Sequence, residues 1–332
     1  MKKQLSTILT ITVALTALVL IPGGKAYAVN EGAGQALEIA PPVLTLTANP
    51  GDTLSTQINL RDISASPLIV TSTINDFSAQ GESGDPKIDV AQTESSPYSI
   101  RAWVQAFPQL NMKSQELQKL PVIIKVPKNA APGGYWGVVR FTATPPGIDG
   151  QGVSLAASLG SLVFVRINGD AKESMSIEQF YTSEPAKDTP ATLFESTPLD
   201  FVLRIKNSGT VHEQPVSQVH IKDIFGKEVA AVNINLEGKN VLPGSIRKFT
   251  APLDKGSLGT TMLFGKYTAE ITSTFGSGTS KQTVTSKIDF WVIPYRLIIL
   301  IIAGLVLLFF ILRAVIRNYN RRITRRARTS RR

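Results

Sequence analysis

From Glu31 onward the chain alternates apolar and polar positions with a period of two, in short runs. Val43–Thr47, Thr56–Leu60, Leu68–Ile74, Val122–Val126 and Gly137–Thr142 are such runs. Breakers such as Asn49-Pro50-Gly51-Asp52 and Pro132-Gly133-Gly134 separate them. Strand side chains point alternately to the two faces of a sheet, so these runs read as half-buried strands. No long stretch of helical period interrupts them before residue 291. That argues against βαβ units and for antiparallel sandwiches.

The strand pattern breaks near Asn168-Gly169-Asp170, after the apolar run Leu162–Ile167. It resumes at Ser174-Met175-Ser176-Ile177 and ends in Lys287–Phe290. Two blocks result, 37–169 and 171–290, each the size of one sandwich with loop insertions. Asp76–Pro97 reads as a long polar hairpin loop, and 183–197 as a loop early in the second block.

Two longer apolar segments stand outside this pattern. The first follows Met1-Lys2-Lys3, runs from Leu5 to Ile21, and is broken by Pro22-Gly23-Gly24 before Ala26-Tyr27-Ala28. A basic start, an apolar stretch and an A-x-A site make 1–28 a secretory signal peptide. The second runs from Trp291 to Leu312, without a polar side chain between Leu297 and Leu312. At ~1.5 Å rise per residue it spans a hydrocarbon core of ~30 Å. Trp291 and Tyr295 suit the outer interface. The expected fold class is therefore an all-β ectodomain of two tandem immunoglobulin-like β-sandwiches, 37–169 and 171–290, followed by a single transmembrane α-helix, 291–312.

Composition and charge sharpen this. The net charge is +10 over 332 residues, but 296–332 holds ten arginines and no acid. Residues 29–295 carry 22 basic against 25 acidic side chains. The basic character thus belongs to the ends, and a nucleic-acid partner is not expected. Arg313, Arg317, Arg321, Arg322, Arg325 and Arg326 in the tail 313–332 set the orientation by the positive-inside rule and would rest on anionic lipid headgroups. The expected localisation is a plasma membrane, single-pass, with the sandwiches outside. Cys is absent. This excludes disulfides, Cys-zinc sites, a thiol nucleophile and a lipoprotein anchor. No L-P-x-T-G precedes the apolar segment, so a sortase has no substrate here.

Candidate chemistry is sparse, and no enzyme, cofactor or metal is expected. Ser245-Ile246-Arg247-Lys248 matches S-x-x-K without its partner motifs. Asp76, Asp85 and Asp89 do not have the spacing of a calcium loop and read as hairpin turn residues. His212 and His220 read as surface or edge residues. The strongest candidate is a binding surface of Arg101, Trp103, Trp136 and Arg140. If Ile100, Val104, Val139 and Phe141 face the core, the two tryptophans point outward among arginines, a hot-spot composition.

The layout also resembles the WxL-interacting protein family of Gram-positive bacteria. The resemblance rests on Pro41–Thr47 with Asn49-Pro50-Gly51-Asp52, on Lys125-Val126-Pro127 through Gly134-Tyr135-Trp136-Gly137-Val138, on Asn207-Ser208-Gly209-Thr210, and on Phe225-Gly226-Lys227. It implies a peptidoglycan-contacting first domain and a second domain that engages other proteins. The resulting expectation is a non-enzymatic, membrane-anchored surface protein that binds peptidoglycan or another surface protein. The alternative is a membrane-bound chaperone or assembly factor for a secreted or pilus-like subunit, with open sheet edges accepting a partner strand.

Overall fold

The computed structural model describes residues 36–92, 96–146, 157–278 and 281–329. The expected signal peptide lies outside the described residues. The chain is mostly β, with one long apolar helix at its C-terminal end.

Ten strands precede residue 168: β1 (Leu37–Ala40), β2 (Val43–Ala48), β3 (Thr53–Asp62), β4 (Leu68–Asn75), β5 (Phe77–Gln80), β6 (Asp85–Ile88), β7 (Leu110–Met112), β8 (Leu117–Lys125), β9 (Gly133–Thr144) and β10 (Ala157–Ile167). They form a three-stranded sheet, β1-β3-β8, and a five-stranded sheet, β2-β10-β9-β4-β7. Ile58, Leu60, Val122 and Ile124 of the first meet Val70, Phe141, Val163 and Val165 of the second in one core. Strands β5 and β6 form a separate hairpin.

The second half repeats the arrangement with β11 (Met175–Ser183), β12 (Leu193–Phe194), β13 (Leu199–Asn207), β14 (Val216–Asp223), β15 (Glu228–Ile234), β16 (Ile246–Leu253), β17 (Gly265–Phe275) and β18 (Gln282–Val292). Its sheets are β11-β13-β16 and β12-β18-β17-β14-β15. Phe201, Leu203, Ile221, Ile271 and Phe290 build its core. In both halves a short early strand runs parallel to the last strand: β2 beside β10, and β12 beside β18.

Strand β10 is apolar on both faces, which requires burial on both. Val163, Val165 and Ile167 enter the first core. Leu162 and Phe164 face the other way, into a third cluster with Phe77, Trp136, Val138 and Leu242. Leu242 belongs to the second half, so this cluster is the apolar part of the joint between the halves.

Two segments differ from expectation. Ser99–Ala106 is not a strand: the amides of Trp103 and Val104 both bond back to the Ile100 carbonyl, which curls the segment into turns. Trp291 and Val292 remain in β18, with the Trp291 amide bonded to the Thr192 carbonyl. A four-residue turn, α1 (Lys255–Leu258), follows β16, and the long helix α2 (Tyr295–Thr329) starts beyond Pro294 rather than at residue 291. Within α2, Tyr295–Arg317 is long and apolar enough to cross a membrane.

Candidate functional site: the cleft between the two halves

The joint is built where two glycine-containing turns meet. The Gly134 amide donates to the Thr210 carbonyl at 2.9 Å. A Cβ on Gly134 would stand 2.8 Å from both the amide nitrogen and Nδ1 of His212. Gly133 approaches the Thr210 carbonyl similarly, with φ +154. Only glycine lets the two backbones come this close. On the far side, Asn207 donates its side-chain amide to the carbonyls of Val211 and Val241, at 2.7 and 2.9 Å, and holds the receiving turn in shape.

The β5–β6 hairpin is a second contact. Its tip residue Glu82 accepts the Lys248 amide at its carbonyl, 2.8 Å, on the edge of β16. The Glu82 carboxylate takes the Arg204 guanidinium with both oxygens. The Arg204 hydrogen bond holds that carboxyl below its ordinary range.

Beside these contacts lies a cleft of about 800 Å³, lined by Thr45, Thr47 and Arg166 from the first half and by Gln218, Thr272 and Thr274 from the second. Its floor holds a buried ionic group. Arg166 pairs with Glu173, and its other nitrogen stands 3.8 Å from Glu213. Glu213 Oε2 accepts the Gly276 amide at 2.9 Å, while Oε1 is buried without a hydrogen bond among the described residues. Burial pushes the Glu213 carboxyl up to about 6. Next to it, the His212 ring lies 4.9 Å from Phe164, and burial followed by the Arg166 charge pushes it down to about 4. At working pH the floor therefore combines a neutral imidazole with one arginine between two carboxylates.

The rim of this cleft includes β2, an end strand of its sheet. The amides of Leu162 and Asn168 reach the carbonyls of Pro42 and Ala48. Even-numbered positions thus turn their backbone groups toward β10, and Val43, Thr45 and Thr47 turn theirs to the free side. Their side chains are exposed there as well.

The expected binding surface changes character. Trp103 and Trp136 are 9% and 5% exposed, so neither is a surface anchor. Trp136 does lie opposite Val139 and Phe141 on β9, but the β5–β6 hairpin and Leu242 cover it. Its indole N–H donates to the Phe77 carbonyl at 2.9 Å, and Tyr98 stacks on it at 4.5 Å. Trp103 enters the first core because its segment is not extended. Arg101 reaches Gln92 and Asp76, and Arg140 reaches Asn75, so both arginines serve the root of the hairpin. His212 is buried, not superficial. His220 is the partly exposed one, 3.0 Å from Glu228. Arg313 and Arg317 are exposed on α2, and Arg321, Arg322, Arg325 and Arg326 continue the same helix.

Ser245 donates to the Leu242 carbonyl, and Lys248 to Asp188, so the S-x-x-K residues serve separate structural bonds. Among the described residues, no three His, Asp or Glu side chains converge as a metal site. Local sequence pattern does not single out Arg166, Glu173, Glu213 or Glu82, because each acquires its role from a partner in the other half or in the link between them.

No family model and no curated protein matches this chain. Solved structures do resemble it. The class 5 fimbriae chaperone CfaA is similar at 14% identity and a TM-score of 0.40, over 76% of this chain and 98% of its own. The Escherichia coli chaperone DraB is similar at 14% identity and a TM-score of 0.33, over 77% and 97%. The CsuC–CsuE chaperone–tip subunit complex of Acinetobacter baumannii is similar at 14% identity and a TM-score of 0.32, over 75% and 97%. The WxL-interacting family expected from the sequence is corrected: no family model matches, and several of the similar solved structures are fimbrial chaperones. Of the motifs behind that resemblance, Gly134 and Thr210 meet at the joint, whereas Phe225-Gly226-Lys227 forms the turn between β14 and β15.

Proposed function

We propose that the chain is a membrane-held, non-catalytic protein of two tandem immunoglobulin-like sandwiches, 37–169 and 171–290, that binds an extended segment of a secreted or surface protein at the cleft between them. On this reading it acts in the handling or assembly of that partner. The observation that carries it is the free side of β2 on the rim of the cleft. Thr45 and Thr47 present both backbone groups and side chains there, which is what an added strand requires. The opposite wall is the outer face of β14 and β17, with Gln218, His220, Thr272 and Thr274, polar enough to stay wet without a partner. Distant similarity to fimbrial chaperones is not what supports this; the edge and the cleft of this chain are. Trp103 and Trp136, the tryptophans of the expected binding surface, are buried and offer peptidoglycan no aromatic platform.

Helix α2 would cross the membrane, with Arg313, Arg317, Arg321, Arg322, Arg325 and Arg326 on the cytoplasmic side against anionic headgroups. The test is photo-crosslinking of the full chain in its own host, with a benzophenone side chain at Thr45, Thr272 or, as a control, Lys119, which is exposed on the other sheet of the first half. Capture of one exported protein from Thr45 and Thr272, but not Lys119, supports the reading. Absence of such a partner, together with saturable pelleting of the protein on stripped peptidoglycan, overturns it in favour of wall binding.

A further inference from the structure

The end of the second half that carries α2 is unlike the rest of the ectodomain surface. The register of β17 with β18 sets Gly265 opposite Val292, and the register of β14 with β17 sets Asp223 opposite Tyr267. The β14–β15 turn, the loop before β17 and the start of α2 therefore lie side by side, on neighbouring strands ~4.8 Å apart. Phe225 is 87% exposed in the turn, Met262 and Phe264 are 91% and 67% exposed in the loop, and Ile224 and Trp291 are exposed beside them. Elsewhere between Met175 and Val292, only Leu193, Val216 and Leu236 are large, apolar and exposed among the described residues, and Leu193 pairs with Trp291 at this same end. In the first half no described aromatic side chain is exposed.

These side chains are held out. Asp223 Oδ1 accepts the amides of Phe225 and Lys227 at 2.9 and 3.0 Å, and Gly226 closes the turn at φ +80. The Tyr267 hydroxyl accepts the Phe264 amide at 2.9 Å, which fixes the loop backbone with the ring outside. The helix is equally fixed. Only Ile293 and Pro294 separate it from β18, the Ile293 amide bonds to the Phe194 carbonyl, and Arg296 stands 3.3 Å from Glu195.

We infer that this end of the second half is a lipid-contacting surface, with Phe225, Met262 and Phe264 inserted into the headgroup and upper acyl region around the point where α2 enters. This rests on α2 being the membrane span. Exposed aromatic and apolar side chains beside lysines and a helix entry suit the interface and not water. The rigid link leaves the sheet end no room to lift away from the bilayer, so the occupant of this face is lipid and not a soluble partner.

The chain has no Cys, so single cysteines can be placed without background. Full-length Phe225→Cys, Met262→Cys, Phe264→Cys, Leu236→Cys and Leu305→Cys would each carry an environment-sensitive dye in phosphatidylcholine–phosphatidylglycerol vesicles, with and without nitroxide lipids labelled near the top of the acyl chain. The expected result is blue-shifted emission, quenched by the nitroxide lipid, at 225, 262, 264 and 305, with 236 remaining water-like. Quenching at 305 alone would leave the anchor in place and overturn the lipid surface. No quenching at 305 would remove the anchor and the inference with it. A blue shift at 225 and 264 without lipid quenching, reversed by diluting the protein in lipid, would assign the face to a second copy of the chain and also overturn it. Should a cysteine variant misfold, Phe225→Ser with Phe264→Ser asks the same question, read as loss of the nitroxide-lipid quenching of Trp291, since Trp103 and Trp136 are buried in the first half.

Discussion

Gly134 of β9 and Thr210 of the second half share a backbone hydrogen bond at 2.9 Å, with no side chain between the two strands of chain. Gly134→Ala would place a methyl group 2.8 Å from the His212 amide nitrogen, which is backbone and cannot swing aside. The cost of such overpacking is ~1–3 kcal/mol. The expected outcome is a lower urea midpoint together with a larger radius of gyration in small-angle scattering, as the halves part. An unchanged radius would count against this seat as the joint.

Trp136 tests whether the tryptophans bind or support. Trp136→Phe keeps most of the ring but leaves the Phe77 carbonyl without its indole donor, a loss of ~1–3 kcal/mol. The hairpin should loosen, seen as faster amide exchange across Phe77–Ile88. Loss of partner capture with stability and exchange intact would restore the tryptophan to a binding role.

The hairpin tip gives a smaller and more specific effect. Glu82 and Arg204 are each about a third exposed or less, so solvent screening limits Glu82→Gln to ~0.5–1 kcal/mol. Because Arg204 lowers the Glu82 carboxyl, the stabilisation is present above pH 4.5 and fades as pH falls further. Limited proteolysis should cut the variant near residues 80–84 more readily, and 1 M salt should reduce the difference from the parent.

His212 and Glu213 are neighbours in sequence that pull the pH dependence in opposite directions. The unfolded imidazole, near 6.5, binds its proton more tightly than the folded one at about 4. Its contribution is therefore complete above 6.5 and is lost as pH falls toward 4. The folded Glu213 carboxyl, at about 6, holds its proton more tightly than the unfolded one at 4.5. That contribution is complete below 4.5 and is lost as pH rises through 6. The histidine is displaced further, so the melting temperature should rise from pH 4 to 6.5. His212→Gln should remove that rise, and Glu213→Gln should steepen it. Profiles that match the parent in both variants would rule out the cleft floor as the source.

Much of the strand layout follows from local pattern. The alternation in Val43–Thr47 becomes β2, and the two-sided apolar run at Leu162–Ile167 becomes a strand buried on both faces. Ser99–Ala106 has the same alternation and fails, because Ile100 collects two amides in a turn and the segment then lies against the edge of β8, with the Lys125 amide on the Trp103 carbonyl. Period two states which residues could share a face, not whether the backbone is extended. Trp136 shows the other limit. Its face on β9 can be read from its neighbours, but its burial depends on Leu242 and a hairpin that local pattern cannot place there. The same holds for the cleft floor, where Arg166, Glu173 and Glu213 come from a strand, a link and a turn with nothing in common locally.

Strand β18 works as a ruler. It runs from Gln282, next to the cleft wall, to Val292, next to the helix. At ~3.3 Å per residue, Thr285, opposite the cleft residue Thr272, lies roughly 23 Å from the end that meets α2, and the Gln282 end of the cleft roughly 35 Å from it. Surface charge in physiological salt decays over ~8 Å, so a segment held at that height feels almost none of the lipid headgroup potential. If α2 spans a membrane as proposed, capture at the cleft should then be the same over neutral and anionic bilayers, because the spacing between cleft and helix is set by a fold element that cannot stretch.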